Sequence, residues 1–290
     1  YITAYANNIN ALYRTRLEAL KSVNYSISRI KDEYVIMSDC DVICNVDFND
    51  IIENHIKTGA DMTLAVKSVD LTPESAKINV LFDSDEDGRV RDILAYPTQF
   101  TGRADIGLNI VVMRTDYLKQ IVLDAIAHNY TSLTSDILAR NMKNRNFRVY
   151  KYDGYFACIS SFADYYAHSM ELLSDAAARD ALFGVKDRPI YTKVRNSVPA
   201  FYAASSSVRN SMIADGCEIE GSVENSILFR GVKIGKNATV KNSIIMQDSI
   251  IGDGAFLNHV ITDKNAVVRD NRMLAGADVQ PFYIQKGQMI

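Results

Sequence analysis

The feature that most constrains this chain is a six-residue beat toward its C-terminal end. From about Val208 onward, aliphatic residues recur at or near every sixth position: Ile213 and Ile219; Leu228, Ile234 and Val240; Ile245, Ile251 and Leu257. Small or polar residues fill the intervals, and Gly216, Gly221, Gly231, Gly235, Gly252 and Gly254 stand where corners are expected. Helical periodicity stops where this beat begins. A sixfold period is the mark of a parallel β-helix, in which three short strands make one coil and stacked coils share one core. Two steps break the beat, Ile219 to Leu228 and Val240 to Ile245. The expectation is a short solenoid of about four coils over residues 208–290.

Residues 1–185 follow a different grammar. Ile9, Leu12, Tyr13, Leu17, Leu20 and Val23 fall close to helical spacing. Tyr34–Met37 is a short apolar run that reads as a buried strand. A helix follows over Asp47–Ile56, with Asp47 or Asn49 near its N-cap. Ala60–Val66 and Leu108–Met113 return to strand patterns, and Asp116 can cap a helix with Leu118, Ile121, Val122, Ala125 and Ile126 on one face. Strands alternating with helices imply an α/β domain built on a mostly parallel sheet. Residues 186–207 contain Pro189 and Pro199, lack a sustained period, and read as an ordered connector.

Composition closes off several function classes. The 290 residues suit about two domains, and 48% hydrophobic with 23% charged residues supports a packed core. A net charge of -3 offers no basic footprint for nucleic acid. No apolar run reaches the ~18 residues of a membrane span, and no signal peptide is visible. The four cysteines, Cys40, Cys44, Cys158 and Cys217, form no Cys-x-x-Cys pair, and the four-residue spacing of Cys40 and Cys44 is not that of a structural zinc site. They read as reduced thiols of a cytoplasmic protein.

The stretch Glu33–Phe48, EYVIMSDCDVICNVDF, carries three aspartates just after a strand: Asp39, Asp41 and Asp47. Strand-end carboxylates are where an α/β enzyme holds a metal and a phosphate. Together with DIGLNIVVM, GYFACISSFADYYAHSMELL and NSILFRGVKIGKNATVKNSIIMQDSIIG, this stretch resembles bacterial glucose-1-phosphate adenylyltransferase. That resemblance implies a nucleotidyltransferase-type domain followed by a left-handed β-helix, and a role in making ADP-glucose from ATP and glucose 1-phosphate for glycogen. The wording SDCDVICN and VENSILFRGVKI is most similar to the GlgD-type subunit of the family, regarded as a regulatory partner.

Catalytic members of such a family need a glycine-rich loop that cradles phosphates, two carboxylates for Mg²⁺, a lysine for the sugar phosphate, and glycines where backbone approaches nucleotide. The loop and opening strand would precede Tyr1. Asp41 matches the first metal carboxylate, but the glycine before it is Cys40. Cys158 stands in place of the second carboxylate, and a mostly neutral thiol is a poor Mg²⁺ ligand. Tyr96, in Ala95-Tyr96-Pro97, stands in place of the lysine. The family's Ser-Met-Gly appears as Asp105-Ile106-Gly107, and its Gly-Thr-Ala-Asp-Ala as Thr15–Ala19, where Glu18 keeps a carboxylate.

These departures point to a noncatalytic regulatory subunit that joins a catalytic glucose-1-phosphate adenylyltransferase subunit in a mixed tetramer. Lys193 and Arg195, with Arg230 and Lys233, are candidate contacts for a small phosphorylated effector. Two alternatives remain. An active nucleotidylyltransferase would hold Mg²⁺ through Asp41 and a second ligand such as Asp153 or Asp164. A hexapeptide acyltransferase would use His259, the one histidine of the solenoid, as general base. His55, His128 and His168 lie in separate helical stretches and form no visible constellation.

Overall fold

The computed structural model describes residues 13–290, so Ile9 and Leu12 of the first expected helix lie outside the described residues. The chain divides into two compact units. One runs to Val42 and resumes over Val46–Asp153; the other joins Ile43–Asn45 to Gly154–Ile290.

The first unit opens with two short helices, α1 (Arg16–Ser22) and α2 (Asn24–Ser28), then strand β1 (Tyr34–Ser38). After β2 (Val42–Cys44), helix α3 (Phe48–Thr58) starts where expected: the Asp47 carboxylate accepts from the Asn49 N–H at 2.9 Å, and Gly59 ends the helix in the left-handed region at φ 57°. Strand β3 (Met62–Leu71), the one-turn α4 (Pro73–Ala76), and strands β4 (Val80–Ser84), β5 (Val90–Ala95) and β6 (Gly102–Arg114) follow. Helix α5 (Thr115–Ala127), a π-helix (Leu133–Ala139) and β7 (Phe147–Lys151) complete the unit. Asp116 lies in the first turn of α5, but the cap position is Arg114.

The strands form one sheet in the order β5-β4-β6-β3-β7, with β1 also on β6. It is mixed rather than mostly parallel. Among the described residues only β3 and β7 of this sheet pair in parallel, while β1–β6, β3–β6, β4–β6 and β4–β5 are antiparallel. The reason lies between Leu71 and Gly102, where the chain doubles back with only the one-turn α4 and short loops, and a parallel step needs a longer crossover. The apolar face of α5 (Leu118, Ile121, Val122 and Ala125) packs with Met62, Leu64, Met113 and Phe147 of the sheet. Burying each such large side chain is worth ~1.5–3 kcal/mol.

In the second unit β2 pairs with β8 (Phe156–Cys158), and helices α6 (Phe162–Ser174) and α7 (Ala176–Phe183) follow. Buried Asn45 donates to the carbonyls of Leu182 (2.8 Å) and Arg188 (3.0 Å), tying β2 to the end of α7. The remainder is a left-handed β-helix of hexapeptide repeats whose 15 strands, two or three residues each, make three five-stranded parallel sheets. With five strands on each face, the stack is close to the short solenoid of about four coils that the beat implies. The first strand is Phe201–Tyr202, ahead of Val208, and both its residues are exposed, which hides the beat there. Helices α6 and α7, which the sequence pattern groups with the α/β half, pack instead in the solenoid's unit: Tyr166 lies against Ile244 and Ile261.

Both breaks in the beat have a structural cause. Val223 faces inward between Ile219 and Leu228, so that coil is short by two residues at the Glu220–Gly221 corner rather than missing a strand. The five-residue step from Val240 to Ile245 recurs from Leu257 to Thr262, all four buried, and marks a regular corner of the first four coils; in the last coil the same step, Leu274 to Ile284, takes ten residues. At that corner Asn210, Asn225, Asn242 and His259 all take positive φ (42°, 47°, 45° and 53°), a conformation that asparagine tolerates better than most residues. Gly221 is required by proximity: a Cβ there would meet the carbonyl oxygens of Ala238 at 2.4 Å and Gly235 at 2.7 Å on the next coil.

Candidate functional site

The first unit contains a cavity of about 570 Å³ walled by the start of α1, the turn after β1, the end of β5, the middle of β6 and the π-helix. Its polar lining includes Arg14, Arg16, Asp39 and Asn109; Tyr96, Phe82 and Gly107 supply aromatic and backbone surface.

The mouth of α1 is fixed by a capping box. Thr15 Oγ1 accepts from the Glu18 N–H at 3.2 Å, and Glu18 Oε2 accepts from the N–H groups of Thr15 (3.2 Å) and Arg14 (2.8 Å). The Glu18 carboxylate is therefore turned to the backbone. The next residue in the box, Arg16, forms a bidentate pair with Asp39: Nε donates to Oδ1 at 3.0 Å, and a terminal nitrogen donates to Oδ2. Sequence reasoning singled out Asp39 only as one of three aspartates; a partner 23 residues away has no local signal.

Tyr96 follows β5 with φ 55°, unusual for a bulky residue, and its N–H donates to the Asn79 carbonyl at 2.9 Å. The residue is 56% exposed and borders the cavity. Gly107 shares that cavity for a packing reason, since a Cβ there would lie 2.8 Å from the Phe82 ring. Asp105, two residues earlier, lines a different cavity of about 580 Å³. There the Ser68 hydroxyl donates to it and the Lys151 ammonium lies 3.4 Å away, so its charge is balanced within the fold. Tyr96 and Gly107 thus come together, whereas Glu18 and Asp105 are directed elsewhere.

Asp41 sits half-buried in the turn between β1 and β2, next to exposed Cys40. Cys158 ends β8, half-buried and in no disulfide. Asp153 is exposed, and its backbone carbonyl accepts from Lys67 Nζ at 3.2 Å. Asp164 belongs to the cap of α6, accepting from the Ser160 N–H (3.1 Å) and hydroxyl (2.6 Å). Partial burial works against its charge, yet the hydrogen bonds from Ser160 and Ser161 hold its carboxyl below the usual range. Among the described residues no three His, Cys, Asp or Glu side chains gather as a metal site. The Cys158 thiol, which the resemblance puts in place of a metal carboxylate, is a soft ligand that does not fit Mg²⁺.

In the second unit Lys193 and Arg195 are exposed, in a segment without regular structure. Arg230 pairs with Asp215 at 2.8 Å and Lys233 with Glu218 at 3.0 Å, each linking neighbouring coils. His259 Nδ1 lies 2.9 Å from the Tyr166 hydroxyl and 2.9 Å from Asp278 Oδ1. The same hydroxyl donates to the Asn242 carbonyl at 2.7 Å. None of the four cysteines is in a disulfide, and among the described residues no helix is long and apolar enough to cross a membrane.

Comparison with known proteins places this geometry in context. Residues 198–282 match the family model described as GlmU-like, C-terminal hexapeptide. The chain is 36% identical to the glycogen biosynthesis protein GlgD of Geobacillus stearothermophilus over 259 residues, 89% of this chain and 64% of that protein. It is 30% identical to GlgD of Bacillus subtilis (strain 168) over 213 residues, 73% of this chain and 51% of the relative. With the glucose-1-phosphate adenylyltransferase of Thermosipho africanus it shares 28% identity over 213 residues, 72% of this chain and 50% of that enzyme. The chain thus spans about half to two thirds of the length of these relatives.

Proposed function

We propose that this chain, a relative of the glycogen biosynthesis protein GlgD and of the glucose-1-phosphate adenylyltransferases, serves ADP-glucose synthesis as a noncatalytic regulatory subunit. The observation that carries the proposal is the composition of the cavity in the first unit. Where the resemblance calls for a phosphate-binding lysine, Tyr96 contributes a neutral ring at the cavity border. The nearby Arg16 is neutralised by Asp39 in a bidentate pair. Apart from Arg14, which also lines the cavity, a sugar-phosphate dianion would meet little uncompensated positive charge there, and the resemblance puts Cys158 in place of the second metal carboxylate.

Such a subunit acts through a partner. A catalytic glucose-1-phosphate adenylyltransferase subunit, in a mixed tetramer, is the partner this reading requires. Exposed Lys193 and Arg195 are its candidate contacts for a phosphorylated effector, ahead of Arg230 and Lys233, whose charges are already paired. Four cysteines outside any disulfide suit the reducing cytoplasm.

The test is an assay of ADP-glucose formation from ATP, glucose 1-phosphate and Mg²⁺, using the natural full-length protein alone and mixed with the catalytic subunit of the same organism. The expected result is no turnover alone and an altered maximal rate or effector response in the mixture. Turnover alone that is lost in Asp41→Asn would overturn the proposal in favour of an active nucleotidylyltransferase. Absence of any complex, with unchanged kinetics of the catalytic subunit, would remove the regulatory reading.

A further inference from the structure

A smaller cavity in the first unit, about 220 Å³, lies between α5, the π-helix and the turn leading into β7, and shares no lining residue with the cavity at Tyr96. Two arginines line it, each laid over an aromatic ring. The Arg140 guanidinium carbon is 4.9 Å from the centroid of Tyr130, and that of Arg145 is 4.8 Å from the centroid of Tyr117. His128 stacks on Tyr130 as well, with centroids 5.2 Å apart and planes within 18°. Stacking of this kind orients a guanidinium without using its N–H groups.

The polar contacts of these two guanidiniums are long. Arg140 reaches the Tyr130 hydroxyl at 3.4 Å and Asp136 at 3.7 Å; Arg145 reaches Gln120 at 3.3 Å and Asp61 at 3.4 Å. Well-made charge-assisted bonds shorten to ~2.7–2.9 Å. The two carboxylates are engaged by backbone instead. Asp136 accepts from the N–H groups of Ser132 and Thr131, both at 3.0 Å, which hold its carboxyl below the usual range. Asp61 accepts from the Asn146 N–H at 2.8 Å. Asp124, exposed, is the other acidic lining residue. Burial pushes the Tyr117 phenol up to about 12, so it stays a neutral donor. The wall itself is a π-helical turn, a geometry that recurs at functional sites, and Arg140 is its C-cap.

We propose that this cavity binds a phosphate group, free or carried on a small ester, between Arg140 and Arg145. Two guanidiniums oriented by stacking but loosely bonded can each turn a pair of N–H donors to a tetrahedral oxyanion at little reorganisation cost. The volume is below the ~300–1,000 Å³ of sites for larger ligands, which limits the ligand to a phosphate with a short organic stem. This inference is independent of the regulatory reading, because it rests on no residue of the cavity at Tyr96.

The test titrates inorganic phosphate and glycerol phosphate into the natural full-length protein, with chloride replacing them at constant ionic strength. Calorimetry reads affinity and thermal denaturation reads the shift in Tm. The expected result is a saturable phosphate response that Arg140→Gln and Arg145→Gln each weaken at least ~10-fold, with Lys143→Gln, an exposed neighbour, unchanged. Arg145 also reaches Asp61, so Arg140→Gln, at an exposed position with its fold checked by circular dichroism, is the deciding variant. Tighter binding of glycerol phosphate supports an esterified ligand, and tighter binding of inorganic phosphate supports the free ion. A response no greater than that to chloride, or Arg140→Gln binding as tightly as the parent, would overturn the proposal.

Discussion

Replacing Tyr166 by phenylalanine tests how α6 is held on the solenoid, because two effects of opposite sign separate with pH. Tyr166 is 3% exposed, and its ring packs on Ile244 and Ile261. Phenylalanine keeps that packing but leaves the Asn242 carbonyl without its 2.7 Å donor and removes a partner from His259. Leaving such a group unsatisfied costs ~1–3 kcal/mol. The second effect is ionic. Burial, helped by the charge of Asp278, pushes the phenol up to about 12, against an ordinary value of ~10. A pKa raised in the folded state stabilises fully below the unfolded value and is lost as pH rises through the folded one. Two units at ~1.36 kcal/mol each are ~2.7 kcal/mol lost between about pH 10 and 12 in the parent and absent in the variant. The parent should therefore be more stable than Tyr166→Phe by ~1–3 kcal/mol at pH 8, and that lead should shrink or reverse by pH 12. Urea unfolding at stepped pH measures it. With no tryptophan in the chain, circular dichroism is the probe, free of the fluorescence changes that tyrosine ionisation brings. A gap that stays constant from pH 8 to 12 would refute the argument.

Other predictions concern single side chains. Glu18→Ala should lower stability by ~0.5–2 kcal/mol by opening the capping box, while Glu18→Gln, which can still accept from Arg14 and Thr15, should retain most of it; equal losses in thermal denaturation would contradict the capping role. Gly221→Ala should cost at least ~1–3 kcal/mol, because the new methyl meets backbone of the next coil. Gly287→Ala, at φ 68° with open space around it, should cost only the ~1–2 kcal/mol of the left-handed conformation; a larger loss there than at Gly221 would invert the packing argument.

The solenoid was legible because its period is set by inward side chains that repeat in one dimension. What escaped were the places where inward residues do not alternate with an obvious partner. Phe201–Tyr202 begins the stack with exposed rings, and Val223 keeps the core continuous through a corner two residues short. In the α/β half, strand and helix identities followed local patterns, and Asp47 capped its helix as read. Strand direction did not follow, because it depends on how β4, β5 and β6 turn back through short loops. The site was legible as a set of substitutions but not as an arrangement. Nothing local distinguishes a Glu18 that faces a ligand from one that faces its own backbone, and nothing near Asp39 in sequence announces Arg16. Nor did composition mark Arg140 and Arg145, whose shared cavity arises only when the π-helix brings Tyr130 and Tyr117 alongside.

The regular corner of the solenoid also makes its length adjustable in whole units. Three later coils repeat every 17 residues, with strands at Lys233, Ile250 and Val267 in one register. Duplicating one such repeat would lengthen the stack by a single strand spacing, ~4.8 Å, while keeping every inward residue in its row. Inserting one or two residues elsewhere would instead displace all later rows. Evolution can therefore change the reach of this unit by counting coils, and any partner that grips it at two heights would sense that count as a fixed ruler mark.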